Sequence, residues 1–214
     1  MLKLVIADKN YSSWSMRPAV LMRALDIAHE EILIRLAEPD TAARIKALSP
    51  SGRVPCLIDG DLHVWDSLAI FEALAERFPG VWPADAAARA RARSISAEMH
   101  SSFSALRQSM PMNIRKLYPG LGHTPDTDAD IARIVELWSD CLQRSGGPFL
   151  FGAFCAADAM YAPVVMRFKT YAVELPKPCA AYVEAVCAHP AVAGWIAEAK
   201  ADARAIPRYD SLYG

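Results

Sequence analysis

The sequence lacks any apolar run that approaches the ~20 residues of a membrane-spanning helix. It also lacks an excess of charge of either sign, because 23 basic residues are balanced by 24 acidic ones. A nucleic-acid-binding surface is therefore not expected. The first residues, Met1 to Asp8, form a stretch too short and too soon charged for a signal peptide. These absences predict a cytoplasmic protein without a membrane or nucleic-acid partner.

Metal-ligand patterns are absent as well. The five cysteines are odd in number and scattered, and the histidines are not paired at ligand spacing. We therefore expect no metal, and reduced, mostly buried thiols at Cys56, Cys141, Cys155, Cys179 and Cys187. The chain also has no internal repeat and no low-complexity segment.

Strand and helix patterns alternate in the first third of the chain. The predicted order is a strand, a helix, a strand and a short helix, followed by two strands and a helix. The bounds are 3–7, 17–25, 31–36, 41–48, 54–58, 62–65 and a helix opened by Asp66-Ser67. This βαβ-ββα order is that of a thioredoxin-like domain, which we assign to residues 1–78.

Strand patterns end after a segment rich in proline and glycine, 79–85, which we interpret as a linker. Helical patterns follow over 86–109, 128–144, 156–170, 177–188 and 191–203. Residues 86–214 are therefore predicted to form an all-helical bundle domain, and 206–214 to be an irregular surface end. The predicted fold class is α/β plus all-α.

The two strands before Asp66 carry the first candidate site. Asp59-Gly60 is a strong hairpin signal, and Pro55 at the start of a strand leaves the backbone of Val54 without a ladder partner. Asp66-Ser67 then combines a carboxylate, a hydroxyl and free amides at a helix start. Such groups suit a small peptide, which carries both an ammonium and a carboxylate.

The segment between the first strand and helix carries the second candidate site. Ser12, Ser13 and Ser15 crowd a predicted helix start, and Pro18 suits a first turn. One serine, which we take to be Ser15, is explained as the N-cap. Three are more than capping requires.

The order of these motifs resembles the glutathione-binding half of the cytosolic glutathione transferases, and Ser12-Ser13-Trp14-Ser15-Met16-Arg17 resembles the serine motif of the zeta-like and theta-like members. The resemblance implies a cis bond before Pro55 and glutathione as co-substrate. It places the cysteinyl part against the backbone of Val54, the γ-glutamyl end at Asp66 and Ser67, and the glycine end near Arg53. It also implies a serine hydroxyl, Ser12 or else Ser13, that stabilises the thiolate, and a homodimer.

Where the sequence departs from the family motifs, it argues against two particular activities. Relatives that act on disulfides have cysteines where this chain has Ser12 and Ser15, so disulfide oxidoreductase activity is rejected. Trp14 and Ala19 replace a cysteine and an arginine of the zeta pattern, which weakens the case for maleylacetoacetate isomerisation.

In the helical part of the chain, Asp158, three residues after Cys155, resembles the buried aspartate that caps an interior helix in this family.

The second substrate is expected between the domains. Pro111 should interrupt or kink the long helix and turn Met112, Asn113 and Arg115 toward the cleft. The resulting hypothesis is a glutathione transferase that conjugates a small electrophile. A glutathione-dependent isomerase, a dehalogenase or peroxidase, and a non-catalytic glutathione-binding or scaffold module remain alternatives.

Overall fold

The computed structural model describes residues 1–211 and 213. It begins with the βαβ-ββα order that the sequence predicts, so the thioredoxin-like fold is confirmed. The elements of this part are β1 (Leu2–Ala7), α1 (Ser13–Ala24), β2 (His29–Ile34), α2 (Thr41–Leu48), β3 (Cys56–Asp59), β4 (Leu62–Trp65) and α3 (Ser67–Ala75).

The four strands form one mixed sheet in the order β2-β1-β3-β4. β1 pairs in parallel with β2 across the α1 crossover, and antiparallel with β3, which returns as the hairpin to β4. The sheet therefore places the end of β1, the start of β3 and the end of β4 next to one another, where the loops carrying the candidate residues emerge.

The remaining helices form the all-α part, as predicted. They are α4 (Ala86–Ser101), α5 (Ser104–Ser109), α6 (Pro125–Ser145), α7 (Ala156–Tyr171), α8 (Lys177–Ala188), α9 (Pro190–Ala201) and α10 (Pro207–Asp210). Almost every residue of α7 is buried. It packs against both α1 and α4 and so joins the two parts of the chain in one apolar core.

Asp158 lies at the start of α7 and is fully buried. Its carboxylate accepts hydrogen bonds from the amides of Leu150, at 3.1 Å, and Cys155, at 3.0 Å. The carboxylate therefore fixes the preceding loop to the first turn of the core helix, as the sequence indicated. Burial raises the pKa of Asp158 to about 6, although these backbone hydrogen bonds oppose the shift.

Several predicted bounds are wrong. The first helix begins at Ser13 and not at Arg17, because Ser12 rather than Ser15 is its N-cap, so Pro18 lies within the helix and not in its first turn. The third strand begins at Cys56, after Pro55, which has no amide for the ladder.

The predicted long helix over 86–109 is two helices. The chain breaks at Phe103, whose φ of 61° is left-handed, and α5 ends at Ser109 without continuing through Pro111. Residues 110–124 are therefore not a kinked helix.

The C-terminal end is also more ordered than predicted. Ile206 is 1% exposed, and one helical turn, α10, follows it. Residues 212 and 214 of the predicted irregular end lie outside the described residues.

Within the described part of the chain, no single helix is long and apolar enough to cross a membrane. Only α8 and α9 taken together reach that length and hydropathy, and they are bent by 72°. Over the same residues, no group of three or more histidine, cysteine or acidic side chains is placed to hold a metal ion.

Candidate active site

A first cavity of about 520 Å³ opens where the loop before β3 meets the start of α3. Its lining consists of Trp14, Ser51, Arg53, Val54, Pro55, Trp65, Asp66 and Ser67. The volume lies in the range of small-ligand sites. The four residues predicted to bind glutathione, Arg53, Val54, Asp66 and Ser67, are therefore brought together in one place.

The Val54-Pro55 bond is cis. Val54 is half-buried and lies two residues before Cys56, the first residue of β3, so its backbone is outside the ladder. Arg53 is exposed at the rim of the cavity.

Asp66 lines the first cavity, and two contacts hold its carboxylate in place. It is the N-cap of α3 with a φ of 75°, and its carboxylate accepts from the amide of Leu68 at 2.8 Å. The other carboxylate oxygen lies 2.7 Å from Nε2 of His100, which comes from α4. The helical part of the chain therefore supports a side chain that lines the first cavity. The sequence did not indicate this contact.

The three serines lie at the start of α1, where Ser12 is the N-cap and Ser13 and Ser15 belong to the first turn. The Ser12 hydroxyl accepts from the amide of Ser15 at 3.4 Å, and it donates to the Ser15 hydroxyl at 2.8 Å. The Ser15 oxygen also accepts from the amide of Ala7 in β1, at 3.0 Å. Ser12 remains half-buried, whereas Ser13 is 8% exposed and Ser15 is fully buried. Ser15 is thus committed to the fold, and Ser12 faces the site.

A second cavity, of about 320 Å³, adjoins the first. Its lining consists of Tyr11, Ser12, Ser13, Trp14, Leu36, Val54, Arg107, Pro111, Met112, Arg167 and Tyr209. Trp14 and Val54 line both cavities, so the two spaces are neighbours at the start of α1. Ser12 and Ser13, next to Trp14 in the chain, line the second cavity.

Three buried or half-buried arginines surround Trp14 and the second cavity. The guanidinium carbons of Arg17 and Arg107 lie 4.2 and 4.9 Å from the Trp14 ring centroid. Burial lowers the pKa of Arg107, and burial together with the charge of Arg107 lowers the pKa of Arg167 to about 9. None of the three forms an ion pair with a carboxylate among the described residues. The site is therefore electropositive.

Of the three residues predicted to contact the second substrate, Met112 lines the second cavity. Asn113 and Arg115 are not among the described residues that line either cavity. Asn113 is buried and bonds Asn10 and Asp210, each at 2.8 Å. The Arg115 guanidinium donates to the hydroxyl of Tyr11 and to backbone carbonyls after α9.

Asn113 and Arg115 hold the C-terminal segment in place. Asp210 accepts from Asn113 and also from the hydroxyl of Tyr11, at 2.7 Å. Tyr209 stacks on Tyr11 with ring centroids 5.3 Å apart and lines the second cavity. Sequence patterns missed Tyr209 because it lies in the end that was predicted to be irregular.

A thioredoxin-like domain and a helical domain, with two adjoining cavities beside a serine-capped helix, define a two-domain protein. The N-terminal domain family of the glutathione S-transferases matches residues 11–77, and their C-terminal domain family matches residues 86–198. The chain belongs to the glutathione S-transferase family.

Curated relatives match over part of the chain. Glutathione S-transferase T1 of Arabidopsis thaliana is 31% identical over 100 residues, which are 44% of this chain and 41% of that protein. A probable maleylacetoacetate isomerase of Caenorhabditis elegans is 33% identical over 86 residues, 39% of each protein. The matched region thus spans about two fifths of the length of these relatives.

Solved structures match over nearly the whole fold. A glutathione transferase homolog from Burkholderia GL BGR1, with bound glutathione, has a TM-score of 0.71 and 24% identity, covering 95% of this chain and 99% of that one. A theta class glutathione S-transferase from Xanthomonas axonopodis pv. citri, also with glutathione, has a TM-score of 0.67 and 22% identity, covering 91% and 96%. At these identities the likeness shows the fold.

Proposed function

We propose that this chain is a glutathione transferase that binds glutathione in the first cavity and joins its sulfur to an electrophile in the second. The observation that carries the proposal is that the two cavities meet beside Ser12, at the N-terminus of α1. A sulfur at this meeting point would be within reach of a hydroxyl donor and of the positive end of a helix.

In this proposal glutathione lies along the first cavity. The backbone of Val54 pairs with its cysteinyl part, Asp66 receives its ammonium and Ser67 its α-carboxylate. Arg53, at the rim, faces the glycine carboxylate. This orientation directs the sulfur toward Ser12, and it agrees with the size and polarity of the cavity.

The chemistry is that of an activated thiolate. The thiol loses its proton to water, and the hydroxyl hydrogen of Ser12 bonds the sulfur anion. The sulfur attacks an electrophilic carbon in the second cavity, so that a carbon–sulfur bond forms and the leaving group departs with its electron pair. Ser13 remains the alternative donor, since it lines the same cavity.

The test is a pH titration of bound glutathione, followed by the ultraviolet absorbance of its thiolate. We expect the midpoint to lie about two pH units below the ~8.5 of a free thiol. A bound thiol with an unshifted midpoint would favour the carrier or scaffold alternative. Absence of glutathione binding would refute the proposal.

A glutathione-dependent isomerase is the second candidate, because Arg107 and Arg167 give the second cavity positive charge. Such a charge suits a carboxylate-bearing unsaturated substrate, to which the thiolate adds and from which it is then eliminated, so that glutathione is recovered. The two candidates are separated by whether glutathione is consumed in the reaction. A dehalogenase would consume it transiently and release halide, and a peroxidase would oxidise it.

We further propose a homodimer and a cytoplasmic location. Leu62 and Trp65 of β4, at the edge of the sheet, are 59% and 46% exposed, and apolar side chains at a strand edge favour association. Sedimentation velocity of the purified chain tests the dimer, and fractionation of the cells that express it tests the location.

A further inference from the structure

Arg107 and Arg167 place two positive charges in the wall of the second cavity. Arg107 lies on α5 and is half-buried, whereas Arg167 lies on α7 and is 4% exposed. Two arginines from separate helices therefore border one space.

Main-chain carbonyls hold the Arg167 guanidinium in a fixed orientation. Its Nε donates to the carbonyl of Met110 at 2.9 Å, and its Nη1 donates to the carbonyl of Pro163 at 3.2 Å. Its Nη2 has no acceptor among the described residues. The fold therefore uses two of the three nitrogens and leaves the third for a ligand.

Arg107 is held in the same way, at the end of α4. Its Nε donates to the carbonyl of Ser102 at 3.1 Å, and its Nη2 donates to the carbonyls of Met99 and His100. The last carbonyls of a helix lack intrahelical partners, so these bonds orient the side chain. Its Nη1 is buried and has no hydrogen-bond partner among the described residues. One nitrogen of each arginine is thus unused.

Neutral carbonyls orient the two guanidinium groups without neutralising their charges. Burial lowers the pKa of Arg107, and Asp130, whose carboxylate accepts from the amide of Leu106 at 2.9 Å, opposes this shift only in part. Burial and then the charge of Arg107 lower the pKa of Arg167. Both groups nevertheless stay protonated at neutral pH. A buried charge without a counter-ion is destabilising, so a bound anion offsets that cost.

The second cavity supplies no such anion from its own wall. Its described lining contains no aspartate and no glutamate, and Trp14, Leu36 and Met112 give it apolar surface. A ligand that combines an apolar body with one negative group therefore suits this cavity better than an uncharged ligand.

We propose that the second cavity selects electrophiles that carry a carboxylate, which is bound by Nη1 of Arg107 and Nη2 of Arg167. A carboxylate has two oxygens, one for each guanidinium. This inference rests on the proposed function, and it holds for a conjugated electrophile as well as for an isomerised one. It makes Arg107 and Arg167 specificity-determining residues that contact the second substrate and not the sulfur.

Calorimetric titration with glutathione and two of its conjugates tests the proposal. One conjugate is S-(4-carboxybenzyl)glutathione, and the other is S-(4-carbamoylbenzyl)glutathione, which has the same shape without the charge. We expect the wild-type Kd to be about ten- to a hundredfold lower for the carboxyl conjugate, the scale of one or two charge-assisted contacts. Arg167→Gln should reduce this ratio of Kd values about tenfold.

The matched control is Arg133→Gln. Arg133 also belongs to the helical part, but it is exposed and pairs with Glu98 and Glu136. Its replacement removes one positive charge from the same part of the chain and should change the ratio less than about twofold. If Arg167→Gln does not fold, Arg107→Gln is titrated in its place, with the same loss of selectivity expected.

The outcomes separate this inference from the proposed function. A wild-type chain that binds glutathione but binds both conjugates equally well would overturn the inference and leave glutathione binding standing. A preference for the carboxyl conjugate that persists in the arginine variants would also overturn it, because the two arginines would then have only a structural role. A wild-type chain that does not bind glutathione would refute the proposed function itself.

Discussion

The three serines at the start of α1, Ser12, Ser13 and Ser15, should give three different results when each is replaced by alanine. In the structure the Ser12 hydroxyl donates to the Ser15 hydroxyl at 2.8 Å, although each group is chemically both a donor and an acceptor. With Ser12 donating, Ser15 accepts twice, once from Ala7. With Ser15 donating, the hydrogen of Ser12 is released toward the cavities. We expect this reversal when a thiolate is present to accept it.

The size of the expected shift in thiol pKa follows from the hydrogen bond that Ser12 would donate to the thiolate. A hydrogen bond to a charged acceptor contributes about 1.5–3 kcal/mol, which corresponds to about 1–2 units of thiol pKa. Ser12→Ala should therefore return the pKa of bound glutathione most of the way to the ~8.5 of a free thiol. Glutathione affinity at low pH should change little, because the neutral thiol makes only a weak bond.

Ser13→Ala and Ser15→Ala complete the comparison. Ser13→Ala should leave the thiol pKa unchanged. Ser15→Ala should shift it by less than about half a unit, since polarisation by a neighbouring donor is a small part of one bond. It should instead lower the free energy of unfolding by about 1–3 kcal/mol, because the buried amide of Ala7 loses its acceptor.

The assay is the thiolate absorbance of bound glutathione between pH ~5 and ~9, with urea unfolding of each variant alongside. A shift in Ser13→Ala, with none in Ser12→Ala, would reverse the assignment of the two serines. No shift in either variant would refute the idea that a hydroxyl stabilises the thiolate.

Three further predictions concern binding and stability. Ser67→Ala should raise the Kd for glutathione about tenfold in calorimetry; an unchanged Kd would refute the γ-glutamyl site. Asp158→Ala should lower the free energy of unfolding in urea by about 2–4 kcal/mol, because two buried amides lose their acceptor; a loss below about 1 kcal/mol would contradict this reasoning. Burial opposes ionisation of Glu31, but His29, 3.9 Å away, and the hydrogen bonds and charges of Lys9 and Arg23 lower its pKa to about 2. The stabilisation from ionised Glu31 is full above the unfolded pKa of about 4.3 and is lost as pH falls through about 2. Glu31→Gln should therefore reduce the loss of unfolding free energy over this pH range by about 1–2 kcal/mol, a value discounted for solvent screening. An acid unfolding profile equal to that of the wild-type chain would contradict this prediction.

That Arg53, Val54, Asp66 and Ser67 lie in one cavity could be predicted from the sequence, because their signals are local. Val54-Pro55 and Asp66-Ser67 lie within 14 residues of one another, on either side of a hairpin whose turn the sequence specifies. Closing a two-strand hairpin brings its ends together, so chain order alone placed these residues in one cavity.

The bounds of α1 and the order of its serines were missed for a local reason. The apolar periodicity begins at Met16, and the first turn of the helix is polar apart from Trp14. Apolar periodicity indicates where a helix packs against the core, and it does not reveal polar turns that come before that point. The Ser15 hydroxyl accepts a hydrogen bond from the amide of Ala7 in β1, whereas the Ser12 hydroxyl accepts from the amide of Ser15 and is therefore the N-cap of α1.

The second cavity depends on contacts between residues far apart in the chain, which no local pattern reveals. Arg107 and Arg167 line the second cavity together with Trp14, because α7 packs against α1 and the Arg107 guanidinium lies over the Trp14 ring. Each arginine alone is typical of a solvated helix face, and only its burial distinguishes it.

Asn113 and Arg115 show how an incorrect element changes the interpretation of correct residue chemistry. Their amide and guanidinium groups were predicted to contact the second substrate, but the helix that was to turn them toward the cleft ends at Ser109. The irregular segment beyond it turns them toward Asp210 and the carbonyls after α9. They therefore act on the second cavity indirectly, because the end of the chain that they hold is the one that places Tyr209 in its wall.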